Sequence, residues 1–166
     1  NGLAKNSKIK EGSKDAKVFE ENLLSIATEL AREIARDGEG AKHLITVRVQ
    51  GARSYKSAKQ VAMTVANSPL VKTAIYGRDA NWGRITAAAG RAGVPFSASA
   101  LCLRFNDFLI FENGRPVDFD EAALTKTLSE PEVQIDLSVG KGGGDATVWT
   151  CDFTEDYIRI NADYRS

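Results

Sequence analysis

At 166 residues, with 43% hydrophobic and 27% charged side chains, the chain is long enough for one sizeable core and too apolar to be disordered. Its 22 Lys and Arg balance 22 Asp and Glu, which leaves no net field for nucleic acid or an anionic membrane surface. No run approaches the roughly 20 apolar residues of a bilayer span, and the polar, lysine-bearing start Asn1 to Gly12 is unlike a signal peptide. The expected location is the cytoplasm, or the mitochondrial matrix of a eukaryote. The first residue is Asn rather than Met, which points to a fragment or a processed product of one folding unit.

In chain order, Val18, Phe19, Leu23, Ile26, Leu30 and Ile34 recur at the spacing of one helix face, with Glu20, Glu21, Glu29, Arg32 and Glu33 on the wet side. Asp37-Gly38-Glu39-Gly40 ends that helix. A strand follows over Leu44 to Gln50, then a helix over Ser54 to Asn67, closed by Ser68-Pro69. Leu70 to Tyr76 reads as a strand, and the Ala-rich stretch Trp82 to Ala92 as a helix capped by Asp79 or Asn81. From Ala100 to Val117 the alternation Leu101/Leu103/Phe105 and Leu109/Phe111, with turns at Asn106-Asp107 and Asn113-Gly114, predicts hairpins. A short helix over Asp120 to Leu128, strands over Val133 to Val139 and Ala146 to Phe153, and an extended piece over Tyr157 to Tyr164 complete the chain. The class is α+β with a largely antiparallel sheet.

Few residues point to chemistry by themselves. Gly140 to Gly144, with Lys141 inside, lacks the strand-to-helix context of a phosphate loop and reads as a hairpin turn. His43, the one histidine, has no cysteine or carboxylate pair at metal-ligand spacing and reads as a partly exposed residue at a strand start. Cys102 and Cys151 lack CxxC or CxxH partners and read as buried thiols. Asp37 and Glu39 read as solvated loop charges. Arg78, Asp79, Asn81 and Arg84 cluster where an anion could meet helix N–H groups and arginine forks, or where Asp79 could simply cap a helix.

The segment Lys72-Thr-Ala-Ile-Tyr-Gly-Arg-Asp-Ala-Asn-Trp-Gly-Arg84 resembles the signature of the bifunctional ornithine acetyltransferase and N-acetylglutamate synthase family. Arg36 to Ala41, Ala146 to Asp152 and Tyr157 to Ser166 agree in the same order, so the resemblance covers essentially the whole chain, as the C-terminal part of the second subunit. It implies the family's N-terminal-threonine-nucleophile fold and a precursor that cleaves itself autocatalytically before a threonine. In the family so resembled, the two subunits assemble as a heterotetramer in arginine biosynthesis, and the same assembly is expected here. The resemblance further implies that the freed threonine, activated by its own amine, takes acetyl from N-acetylornithine and passes it to glutamate in a ping-pong cycle.

By position, the resemblance makes Glu39, Asn161 and Ser166 substrate contacts and leaves Arg78, Asp79 and Asn81 as site-lining residues without individual roles. No metal or organic cofactor is implied, and acetyl-CoA stays open as a second acetyl donor. The family's Ala-Thr-Met-Leu nucleophile stretch has no match, since Thr64 lies in the wrong place, so no catalytic residue is expected in this chain. The implied partners are the first subunit and the N-terminal remainder of the second. Alone, the chain would be a structural or interaction domain; an acetyltransferase of secondary metabolism with the same signature is the enzyme alternative.

Overall fold

The computed structural model describes residues 2–164, arranged around one six-stranded sheet. Strands β1 (Leu44–Ala52), β2 (Cys102–Phe105), β3 (Phe108–Glu112), β4 (Arg115–Pro116), β5 (Glu132–Ser138) and β6 (Gly144–Cys151) lie in the order β4-β3-β2-β5-β1-β6. Only β1 and β5 run parallel; every other neighbouring pair is antiparallel, as the α+β reading requires. Six helices surround the sheet: α1 (Lys14–Arg36), α2 (Tyr55–Ala66), α3 (Pro69–Tyr76), α4 (Trp82–Gly90), α5 (Glu121–Thr127) and α6 (Glu155–Asp163). None is long and apolar enough to cross a membrane.

The sheet has one apolar face because alternate residues point the same way. Ile45, Val47 and Val49 of β1 stand opposite Val133, Ile135 and Leu137 of β5, with Leu103 and Phe105 of β2 and Val148 of β6 extending the rows. Helices α2, α3 and α4 close this face with Ala58, Val61, Ala62, Val65, Val71, Ile75, Ile85, Ala88 and Ala89, all buried. Burying one Val, Leu or Ile is worth about 1.5–3 kcal/mol, against about 0–1 kcal/mol for an exposed ion pair. The core therefore outweighs the surface charge pairs.

The opposite face is polar, with Thr46, Arg48, Gln134 and Asp136 along its middle strands. Helix α1 lies on that side, where Arg32 and Arg36 clamp Glu132 of β5 at 2.9 and 2.6 Å. Burial pushes the Glu132 carboxyl up, but the hydrogen bonds and charges of Arg36 and Arg32 outweigh it and hold the group below its ordinary value. Arg32 is thus turned toward the domain and half-buried, and α1 has no buried residue although its sequence is amphipathic.

Several expectations are corrected. Leu70 to Tyr76 is helix α3: alternating Val71, Thr73 and Ile75 mimic a strand, but Pro69 opens a helix at its first turn, and Val71, Ala74 and Ile75 bury at helical spacing. The piece from Tyr157 is also helical, because Thr154 caps α6 and Glu155 and Asp156 occupy its positive first turn. Cys102 and Cys151 are half-buried rather than buried.

The glycine run is no hairpin turn, since β5 and β6 flank β1 on opposite sides and the loop must cross the end of that strand. Gly142 N–H donates to the Gly51 carbonyl at 2.9 Å, and backbone meets backbone so closely that a Cβ on Gly142 would collide with the Ala52 carbonyl. Gly51 is the most constrained position, with φ +72° and the Gly140 carbonyl where its Cβ would stand. Gly51→Ala is expected to cost about 2–3 kcal/mol through left-handed strain and overpacking. Urea unfolding followed by circular dichroism measures it; an unchanged midpoint would mean that the crossing loop yields freely.

Candidate functional site

Two segments far apart in sequence meet where α1 ends and α6 begins. After Arg36 the chain turns through Gly38 to Gly40 and enters β1, while β6 runs out through Asp152 to Thr154 and enters α6. The left-handed residue of the turn is Gly40 (φ +68°), and a side chain there would strike Asp156 Cβ and the Tyr157 nitrogen, both 2.8 Å from an added Cβ. Absence of that side chain lets the turn lie directly on the start of α6.

Asp152 ties the two segments together. Its Oδ1 accepts the Lys42 and His43 backbone N–H groups at 2.8 and 3.1 Å, and its Oδ2 lies 2.7 Å from His43 Nδ1. Thr154 adds a second tie: its hydroxyl donates to the Gly40 carbonyl at 2.8 Å while accepting the Tyr157 N–H at 3.2 Å. A third, on the surface, pairs Lys42 Nζ with Asp156 at 3.0 Å. Hydrogen bonds from Lys42 and then Arg159 hold the Asp156 carboxyl below its ordinary value, and the same bond raises Lys42.

These ties bring Glu39 and Asn161 together: Asn161 Nδ2 donates to Glu39 Oε2 at 2.7 Å and to the Tyr157 carbonyl at 2.9 Å. Both side chains are exposed. Among the described residues no partner meets Glu39 Oε1 or Asn161 Oδ1, so the pair presents two acceptors beside one negative charge. Such an arrangement suits an ammonium donor. The third expected contact, Ser166, lies outside the described residues.

Arg78, Asp79 and Asn81 are brought to a different place. They line a half-open cleft of about 600 Å³ with Trp82, Asp118, Phe119 and Glu121. Arg78 takes the left-handed position (φ +56°) after α3, and its N–H and that of Asp79 return to the Ile75 and Ala74 carbonyls, both at 2.9 Å. Asn81, not Asp79, caps α4 by accepting the Arg84 N–H at 3.0 Å, and its amide also holds Asp79 at 2.9 Å. Arg84 in turn donates to the Leu70 carbonyl at 3.0 Å, clipping α4 to α3. Asp79, Asn81 and Arg84 thus build the corner between two helices, and of these four clustered residues Arg78 alone has a side chain with no hydrogen-bond or ion-pair partner among the described residues.

His43 is another correction: it is buried, not partly exposed, and Asp152 is the carboxylate that no local spacing announced. It still lines a second cleft, of about 540 Å³, with Lys42, Tyr76, Arg78 and Ser129. Asp152, Thr154 and Asp156 were missed by sequence reasoning. The signal that could have found two of them is the Thr-Glu-Asp run, a helix start.

The fold is that of a solved protein: the crystal structure of arginine biosynthesis bifunctional protein argJ from Bacillus halodurans superposes with a TM-score of 0.94 at 40% identity, covering 98% of this chain and 77% of that one. The ArgJ family model matches residues 1–166, and the chain belongs to the ArgJ family. It is 51% identical to the arginine biosynthesis bifunctional protein ArgJ of Chlorobaculum tepidum over 98% of this chain. It is 48% identical to the protein of the same name from Oceanobacillus iheyensis over 100% of the chain. The chain spans 40% and 41% of the lengths of those two relatives.

Because Asp152 accepts two backbone donors and the His43 ring in a buried place, Asp152→Ala leaves all three unpaired. The expected loss is about 3 kcal/mol in the free energy of unfolding by urea. A loss no larger than that of a surface Asp→Ala control would show that water replaces the carboxylate.

Proposed function

We propose that this chain is the substrate-binding part of an ornithine acetyltransferase of arginine biosynthesis, which moves acetyl from N-acetylornithine to glutamate. The observation that carries the reading is the Glu39–Asn161 pair, assembled at 2.7 Å from residues at opposite ends of the sequence. Glu39 offers a charge and an acceptor to the cationic side-chain amine of ornithine, and Asn161 keeps that carboxylate aimed. The same residues hold equivalent positions in the resemblance drawn from sequence, where Ser166 is the third contact.

The nucleophile lies outside this chain, in the portion of the family polypeptide it does not span. A threonine hydroxyl there, deprotonated by its own amine, attacks the acetyl carbonyl; the ornithine amine leaves with a proton and the acetyl group stays on the threonine oxygen. The amine of glutamate then attacks this ester, releasing N-acetylglutamate and restoring the hydroxyl. The chemistry needs no cofactor, and acetyl-CoA could load the same threonine. The first subunit and the N-terminal remainder of the second are the partners, in a cytoplasmic heterotetramer.

Glu39→Ala in the assembled enzyme is expected to lower kcat/KM for N-acetylornithine about 10- to 100-fold, the equivalent of losing one charge-assisted hydrogen bond of about 1.5–3 kcal/mol. The assay is acetyl transfer from N-acetylornithine to glutamate. Unchanged kinetics would remove Glu39 from the site.

A further inference from the structure

Helix α1 is mounted with its apolar side outward. Thr28, Ala31, Arg32 and Ala35 are the half-buried residues of its second half, and Arg32 and Arg36 fasten it to Glu132. At 100° per residue, Phe19, Leu23, Ile26, Leu30 and Ile34 fall within about 80° of arc, with Thr28, Arg32 and Ala35 on the far side. These five side chains are 55% to 78% exposed. A helix that places small and charged residues on its own domain and large apolar ones in solvent is built to be covered by something else.

We propose that this stripe of α1 is the seat of the part of the ArgJ-family polypeptide that this chain does not span, and that its docking also closes over the Glu39–Asn161 pair. The relatives extend well beyond the region matched here: the chain spans 40% of the Chlorobaculum tepidum protein, and 77% of the Bacillus halodurans chain. The occupant is therefore an apolar surface of that remaining polypeptide. Steps of four, three and four residues from Phe19 to Leu30 suit a facing helix whose side chains fill the gaps. Glu20, Glu29 and Glu33 flank the stripe and disfavour an anionic lipid surface as the occupant.

The stripe leads to the site. Leu30 and Ile34 line an open groove with Glu33, Arg36 and Asp37, and Asp37 begins the turn that carries Glu39. Near Asn161 in α6, Tyr157, Ile158 and Ile160 are exposed as well. A carboxylate standing in open water binds an amine weakly, because both ions keep their hydration; a cover that excludes water strengthens the same contact. Docking on α1 would thus supply the wall that the exposed pair lacks. The docking half of the proposal stands on the helix and the family; the closing half rests on the acetyltransferase reading.

Hydroxyl-radical footprinting read by mass spectrometry tests it on this chain alone and on the complete family polypeptide that carries it. Phe19, Leu23, Ile26 and Leu30 are expected to react readily in the chain alone and at least about tenfold more slowly in the complete protein. Equal reactivity in both overturns the proposal, and so does protection that grows with the concentration of the chain alone, which would assign the stripe to a second copy. Ile26→Glu/Leu30→Glu leaves the melting of the isolated chain unchanged but abolishes assembly and acetyl transfer in the complete protein, whereas Ile26→Leu/Leu30→Ile retains both. Retained assembly in the Glu pair also overturns it. Acetyl transfer with an unprotected stripe sinks the docking seat and leaves the enzyme reading; a protected stripe in an assembled protein that transfers no acetyl does the reverse.

Discussion

A single buried carboxylate sets the relation between the two ends of the site. Asp152 lies just past the last residue of β6, where one last backbone bond runs from its N–H to the His43 carbonyl at 3.3 Å, and its carboxylate accepts two backbone N–H groups and lies 2.7 Å from the His43 ring among the residues entering β1. Strands β1 and β6 are already antiparallel neighbours, with Leu44 opposite Cys151, so the ladder delivers Asp152 beside His43 and the carboxylate continues the pairing in side-chain form. The ladder alone could not do this, because Lys42 and His43 would leave N–H groups unpaired at a buried strand entrance. Whatever loosens Asp152 therefore loosens the turn before β1 and the helix after β6 together.

The Glu39–Asn161 contact depends on that arrangement. Neither residue is buried, and an exposed hydrogen bond between two free side chains would not hold them. It holds because their backbones are already placed: Gly40 lies against Asp156, Thr154 binds the Gly40 carbonyl, and Asn161 sits one turn beyond Tyr157 on α6. The stabilising links lie one residue from Glu39, at Gly40, and four to seven residues from Asn161, at Tyr157, Asp156 and Thr154. This division leaves the Glu39 carboxylate with free acceptor capacity, which a carboxylate used as structural glue would have lost.

Much of the fold was legible in the sequence because period and punctuation agreed. Ile45, Val47 and Val49 alternate and are buried on one face, and Asn106-Asp107 and Asn113-Gly114 turn the chain between β2, β3 and β4. The failures came where two signals conflicted. In α3 the β-branched Val71, Thr73 and Ile75 alternate, yet the helix prevails because Pro69 suits its first turn and Ala74 and Ile75 complete a buried face. In α6 the apolar residues are exposed, so no burial period marked the helix and only its cap could have. The orientation of α1 was equally hidden: its periodicity is plain, but periodicity names an apolar face without naming what covers it.

The site was less legible than the family, and the reason is physical. The longest recognisable stretch, Lys72 to Arg84, builds a tight corner between α3 and α4, where its polar residues Asp79, Asn81 and Arg84 meet neighbours in the same stretch of chain: Asn81 with Arg84 and Asp79, Arg84 with Leu70 and Thr73. Local contacts demand particular residues at fixed spacing, so they produce a dense motif. Glu39 and Asn161 are instead 122 positions apart, joined by one hydrogen bond across the end of a sheet, and that geometry leaves no local spacing to read. Arg78 stands between the two cases. Its backbone closes the corner in a left-handed conformation that glycine would adopt more easily, so the arginine side chain must supply something glycine cannot. It lines the cleft below the corner and the one beside His43, which makes it the member of the motif least explained by packing.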